Sequence, residues 1–155
     1  MKLIYSILLT CLVSFASVAE EVNQELKQLA QDYFQVMVAS QAPSATNKEL
    51  EAYLALLTDD VGHQHLPYEV DDRRLPDGKE SMRKGMMYYL GAHTEYQAKL
   101  LNTFIFNDSA IAIRYQHSAK GIHPDNNQAI AYTSVIMEVL EVEEGKVARI
   151  RKYHE

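Results

Sequence analysis

The chain has 155 residues, 47% of them hydrophobic and 23% charged, with six glycines, four prolines and a single cysteine. That composition excludes a disordered, collagenous or disulfide-stapled chain, and the length fits one domain. A formal net charge of −6 argues against a nucleic-acid or anionic-membrane surface, which needs a concentrated basic patch.

Residues 1–19, MKLIYSILLTCLVSFASVA, have the layout of a signal peptide. Lys2 supplies a positive start, Leu3 to Phe15 an apolar stretch, and Ser17-Val18-Ala19 a small-x-small cleavage site. The apolar run is shorter than the roughly 20 residues a membrane-spanning helix needs. Thr10 before Cys11 disfavours lipoprotein processing. The expectation is cleavage after Ala19, leaving one domain over 20–155, periplasmic or secreted in a bacterium, with no membrane attachment. Cys11 leaves with the leader, so thiol and disulfide chemistry are excluded for the remainder. A core alone must hold it, which a chain of this size can do by burying roughly two-thirds of its unfolded surface.

From Glu21 to Ser40, apolar residues at Val22, Leu26, Leu29, Tyr33, Phe34, Val36 and Met37 define one face of an amphipathic helix. Pro43 interrupts. Thr46-Asn47-Lys48-Glu49 has the spacing of a capping box and opens a second helix through Leu50, Tyr53, Leu54 and Leu57. Val61 to Leu66 reads as a short strand, followed by a polar loop. Asp77-Gly78-Lys79-Glu80 signals a third helix over Ser81 to Leu90.

Beyond Gly91 the hydrophobic period changes from 3.6 to 2. Tyr96–Phe106, Ala110–Ala119, Ala129–Val142 and Val147–Tyr153 read as strands joined by short turns, an antiparallel meander. Ile111, Ile113, Tyr115 and His117 share one face. In the third of these strands both faces are apolar: Ile136, Leu140 and Val142 on one, Val135, Met137 and Val139 on the other. A strand buried on both sides needs two covers. The helices supply one, and the expected second is another copy of the chain, giving a homodimer through the outer sheet face.

Helices followed by a sheet make an α+β class. That order, with Leu57-Thr58-Asp59-Asp60-Val61, Asp77-Gly78-Lys79-Glu80-Ser81-Met82, the stretch EVLEVEEGKV over 138–147 and the ending ARIRKYHE, resembles the SnoaL-like branch of the nuclear transport factor two-like superfamily over about residues 21–155. The resemblance implies a cone-shaped, curved antiparallel sheet wrapped around two to three N-terminal helices, with a pocket at its open end and frequent dimers. It does not fix a function, because such folds carry isomerases, dehydratases, cyclases, epoxide hydrolases and plain binding modules.

Glu138 stands on an otherwise apolar strand, where an unpaired carboxylate would cost several kcal/mol, roughly. It is expected either to be ion-paired with Arg114 or Arg149 or to face a cavity with a raised pKa suited to proton transfer. His117, at the polar end of its strand beside Tyr115, is a candidate proton shuttle. His63 and His65 project from one strand face; with Glu69 they match part of a cupin metal signature whose second half is absent. They are read as pocket-lining groups, with metal binding as the alternative. Tyr33 and Tyr53 lie on the inner helix faces, as core or with hydroxyls turned into the cavity.

The Asp–Arg–Asp set of limonene-epoxide-hydrolase-like members is incomplete, since Gln116 stands where an acid is expected near Arg114. The ketosteroid-isomerase-like trio has no match. The resulting expectation is a small-molecule-binding domain with no cofactor or metal. Glu138, His117 and His65 are its candidate acid–base groups, and Tyr33, Tyr53, His63 and Tyr115 its candidate ligand contacts. A non-catalytic ligand-binding or assembly module is the alternative.

Overall fold

Helix α1 spans Lys2–Gln41 and α2 spans Asn47–Leu54; strand β1 follows at Leu57–Leu66 and helix α3 at Gly78–Tyr89. Four strands complete the chain: β2 (His93–Ile105), β3 (Ala110–Ile122), β4 (Ala129–Glu143) and β5 (Lys146–His154). The structure, a computed structural model, describes the backbone of residues 2–155 and the side chains from Val22 onward. The side chains of the expected signal peptide therefore lie outside the described residues.

Leu26, Ala30, Tyr33 and Met37 form the buried seam of α1, stepping by four, three and four residues as a single helical stripe requires. The capping box of α2 is formed: the Thr46 amide donates to Glu49 at 2.9 Å and the Lys48 amide donates to the Thr46 hydroxyl at 3.2 Å. At α3 the expected Asp77 cap makes no side-chain bond to the helix backbone. That helix is instead seated by close approach. A side chain on Gly78 would meet the Val61 carbonyl oxygen at 2.3 Å, and one on Gly62 would meet that of Asp72 at 2.2 Å. Only glycine lets the 67–77 connection lie flat on β1.

The class is α+β, as expected, but the cone is not. The sheet has order β1-β5-β4-β3-β2 and is open and not strongly curled, with β1 and β2 as separate edges. Nor is it wholly antiparallel. β2 to β5 form the expected meander, while β1 runs parallel to β5. The physical reason is that α1 packs over β2 and β3, and α3 over β1. Two layers bury the apolar face, so the sheet need not close on itself. Ile111, Ile113, Tyr115, Ile136, Leu140 and Ile150 fill the space under the helices. On the far face Val135, Met137 and Val139 are half-buried.

One irregularity sets which side chains reach the interior. β4 and β5 turn at Glu144-Gly145, both in the left-handed region with φ of 49° and 74°, the geometry that suits a tight hairpin. Val142 pairs with Val147, yet Glu141 pairs with Arg149, so Ala148 is an extra residue on β5. This bulge advances the register by one and turns Ile150, Lys152 and His154 inward.

Candidate functional site

Between the helical layer and the sheet lies a cavity of about 1010 Å³. Its helical wall includes Met37, Tyr53, Met82 and Met86, and its sheet wall Tyr96, Tyr115, Tyr132 and Ile136. All six histidines of the chain line it.

The floor is built from one row of sheet partners. His65 pairs with Lys152, Lys152 with Glu138, and Glu138 with Ile113. Residues directly opposite share a face, so the Lys152 ammonium meets the Glu138 carboxylate and bonds its Oε1 at 3.0 Å. The same oxygen accepts the Tyr115 hydroxyl at 2.6 Å, and Oε2 accepts the Tyr33 hydroxyl at 2.6 Å. Tyr53 Oη lies 3.1 Å from Tyr33 Oη. Glu138 has no exposed surface, whereas the Lys152 side chain keeps 20% of its own.

This arrangement differs from the sequence expectation in two respects. The partner of Glu138 is Lys152; Arg114 pairs with Glu155 at 2.7 Å and Arg149 with Glu141 at 2.6 Å. Secondly, the Glu138 pKa moves down. Burial, the largest single influence, pushes it up, but the Lys152 charge and the Tyr115 and Tyr33 hydroxyls together outweigh it and hold the carboxyl at about 2. Glu138 is a saturated anion beneath the floor, and Lys152 is the group of that pair that reaches the cavity.

The remaining candidates divide the same way. Tyr33 lies beneath the floor with Glu138, while Tyr53, His63, His65, Tyr115 and His117 line the cavity. Burial pushes the Tyr33, Tyr53 and Tyr115 hydroxyls well up, reinforced by the nearby Glu138 charge, so they remain protonated donors. Burial and then Lys152 push His63 down to about 4, His65 to about 3 and His117 to about 4. These imidazoles are neutral at pH 7. The His63 and His65 rings meet edge to face at 4.4 Å, and His65 approaches His154 at 5.7 Å. Among the described residues no three His, Asp or Glu side chains are grouped to hold a metal ion. His117 Nδ1 is buried without a protein partner, and its ring is surrounded by those of Tyr96, Tyr115 and Tyr132 at 5.4–5.9 Å.

Lys152, His93, Tyr96, Tyr132 and His154 were not read from the sequence as site residues. The alternation of ARIRKYHE marks Ile150, Lys152 and His154 as one face. However, an unbulged hairpin turning at Glu144-Gly145 would set Glu138 opposite Arg151 instead.

No protein-family profile matches the chain, and no curated protein does. Solved structures do. A phenazine biosynthesis-related protein from Pseudomonas aeruginosa is 13% identical, with 88% of this chain and 79% of that one aligned at a TM-score of 0.67. An LEH-like epoxide hydrolase of M. tuberculosis is 13% identical over 85% and 84% of the two chains, TM-score 0.62. An NTF2-like protein from Anabaena variabilis is 17% identical over 84% and 90%, TM-score 0.63. The likeness is one of fold.

Two outcomes follow from the floor. Glu138→Gln leaves the Lys152 charge without its counter-ion and should destabilise the fold by about 3 kcal/mol in urea denaturation. Adding Lys152→Met should recover much of that loss; a double variant no more stable than the single one would contradict the pairing. The histidines predict a pH dependence. In the unfolded chain they titrate near 6.5 and in the folded chain near 3 to 4, so below 6.5 the unfolded state binds more protons. Their contribution is therefore intact above pH 6.5 and lost as pH falls toward 4. Tm measured at pH 7, 6, 5 and 4.5 should fall progressively; a flat or rising profile would contradict the buried neutral rings.

Proposed function

We propose that the chain is an exported small-molecule-binding domain of SnoaL-like type, whose cavity takes a largely apolar molecule and anchors its polar group on Lys152. The observation that carries this reading is the cavity itself: about 1010 Å³ of space walled by methionine and aromatic side chains, with one ammonium group on its floor. A few polar groups converging in a mainly apolar pocket is the usual form of a ligand site. An assembly module with its interior filled by its own side chains would have no use for such a space. Metal binding through His63 and His65 is disfavoured by the lack of a third ligand beside them among the described residues.

Cofactor-free acid–base chemistry on the bound molecule, of isomerase, dehydratase or hydrolase type, falls in this reading to His65 and His117, the candidates that line the cavity. Glu138 acts through Lys152 as a positioning residue. Export rests on residues 1–19, and no helix among the described residues is long and apolar enough to cross a membrane. The half-buried Val135, Met137 and Val139 on the far sheet face support a homodimer there.

Filling the cavity tests the binding reading. Ser134 lines it opposite His117, and Ser134→Trp should occupy that space. Thermal-shift screening of uncharged bicyclic compounds should find binders that raise the Tm of the parent protein and leave the Trp variant, matched to it by circular dichroism, unmoved. Equal shifts in both proteins would place binding elsewhere. Native mass spectrometry of protein expressed in a bacterium and recovered from its periplasm addresses export and assembly together. The expected species is a dimer of chains beginning at Glu20, converted to monomer by Met137→Asp. An uncleaved chain would refute the leader, and a monomeric parent the dimer.

A further inference from the structure

The direction of each hydrogen bond on the cavity floor restricts the chemistry of what can bind. Glu138 is a buried anion 3.0 Å from an ammonium group, so it only accepts. A tyrosine hydroxyl has one proton. Tyr115 gives its proton to Glu138 Oε1 and Tyr33 gives its proton to Oε2. The contact between Tyr33 and Tyr53 at 3.1 Å therefore has Tyr53 as donor. Of the three tyrosines in this floor network, the two that reach the cavity, Tyr53 and Tyr115, have spent their protons inward and have only lone pairs left to offer.

Lys152 is the complement. One of its three protons is spent on Glu138, and the side chain still reaches the cavity. Lys152 and Tyr115 bond the same carboxylate oxygen, so a donor and an acceptor stand side by side on the floor. A carboxylate placed there would find one ammonium already shared with Glu138 and would press against tyrosine lone pairs. A ketone oxygen would satisfy Lys152 and leave both tyrosines unanswered. A hydroxyl group accepts from one neighbour and donates to the other. Unpaired polar groups on either side of such a contact are what discriminate between ligands.

We propose that the cavity selects molecules whose polar head is an uncharged hydroxyl, a phenol, enol or alcohol on an apolar ring body, which accepts from Lys152 and donates to Tyr115 or Tyr53. This rests on the binding reading above and narrows it. The ring body is suited to the aromatic wall in which the rings of Tyr96 and Tyr132 each stand within 6 Å of that of His117.

The experiment is calorimetric titration of the dimeric or monomeric protein, as purified, at pH 7 with four probes on one skeleton: naphthalene, 2-naphthol, 2-acetonaphthone and 2-naphthoate. The naphthol is expected to bind at least about tenfold more tightly than each of the others, the discrimination of one well-placed hydrogen bond. In Tyr53→Phe or Tyr115→Phe, or both, the preference for naphthol over the ketone should fall below about threefold. Tyr53→Phe removes no bond to Glu138 and so keeps the comparison readable if Tyr115→Phe is poorly folded. Equal or tighter binding of the ketone or the carboxylate would overturn the hydroxyl selection and leave the binding reading standing. An undiminished naphthol preference in both variants would also overturn it. Binding of none of the four would count against both.

Discussion

The buried contact between Glu138 and Lys152 is the constraint around which the rest of this molecule is arranged. A carboxylate with no exposed surface is costly unless its charge and both oxygens are answered. Here one oxygen takes an ammonium and a tyrosine, and the other takes a tyrosine from the opposite layer. That last bond joins α1 to the sheet through a polar group at the centre of an apolar core. It fixes the rotation of α1, because Tyr33 must point at Glu138 while Leu26, Ala30 and Met37 complete the same seam. A purely apolar interface would tolerate a slip of the helix along the sheet more readily.

The pair exists because of a single extra residue. Ala148 shifts the β4–β5 register so that Lys152, rather than Arg151, stands opposite Glu138. The same shift turns Arg149 and Arg151 to the far face, where they meet Glu141 and Asp72. One bulge thus sorts three cations and three acids between two faces of the sheet, with lysine on the inside. Lysine suits that position better than arginine. Its ammonium is a compact charge on a flexible stem and can serve Glu138 and a ligand together, where a guanidinium would tend to engage the carboxylate with two parallel bonds.

This is also why the sequence revealed some parts of the structure and not others. The helical seams, the Thr46 capping box and the β2–β5 meander are local. Their signals are periodicity and turn chemistry within a few residues, and they appear where the pattern implies, except that Leu57, read into the second helix, opens β1. The parallel pairing of β1 with β5 joins segments some 90 residues apart in number and leaves no local mark. A helical layer that covers an open sheet and one that a closed cone surrounds are compatible with the same alternation, so the cone could not be tested by pattern. Glu138 stood out because an acid on an apolar strand needs an explanation. Lys152 did not, because in a run with Arg149 and Arg151 it resembles one more solvated cation until the bulge is known.

The histidines follow from the same interaction at longer range. Six of them at one cavity would repel strongly if charged, yet burial and the Lys152 ammonium keep His63, His65 and His117 deprotonated near neutral pH. The neighbouring Glu138 acts in the opposite sense on each, but its charge is already partnered. A neutral imidazole offers one donor and one acceptor, and so do the floor's lysine and tyrosines taken together. The cavity is consequently polar at many points while holding little net charge in its floor. Such a surface gains little from an ion, whose desolvation it would not repay, and more from a molecule that can both give and accept hydrogen bonds. Lys152 thus does two things at once: it neutralises the one buried acid and, through its field, reinforces the burial that keeps His63, His65 and His117 neutral.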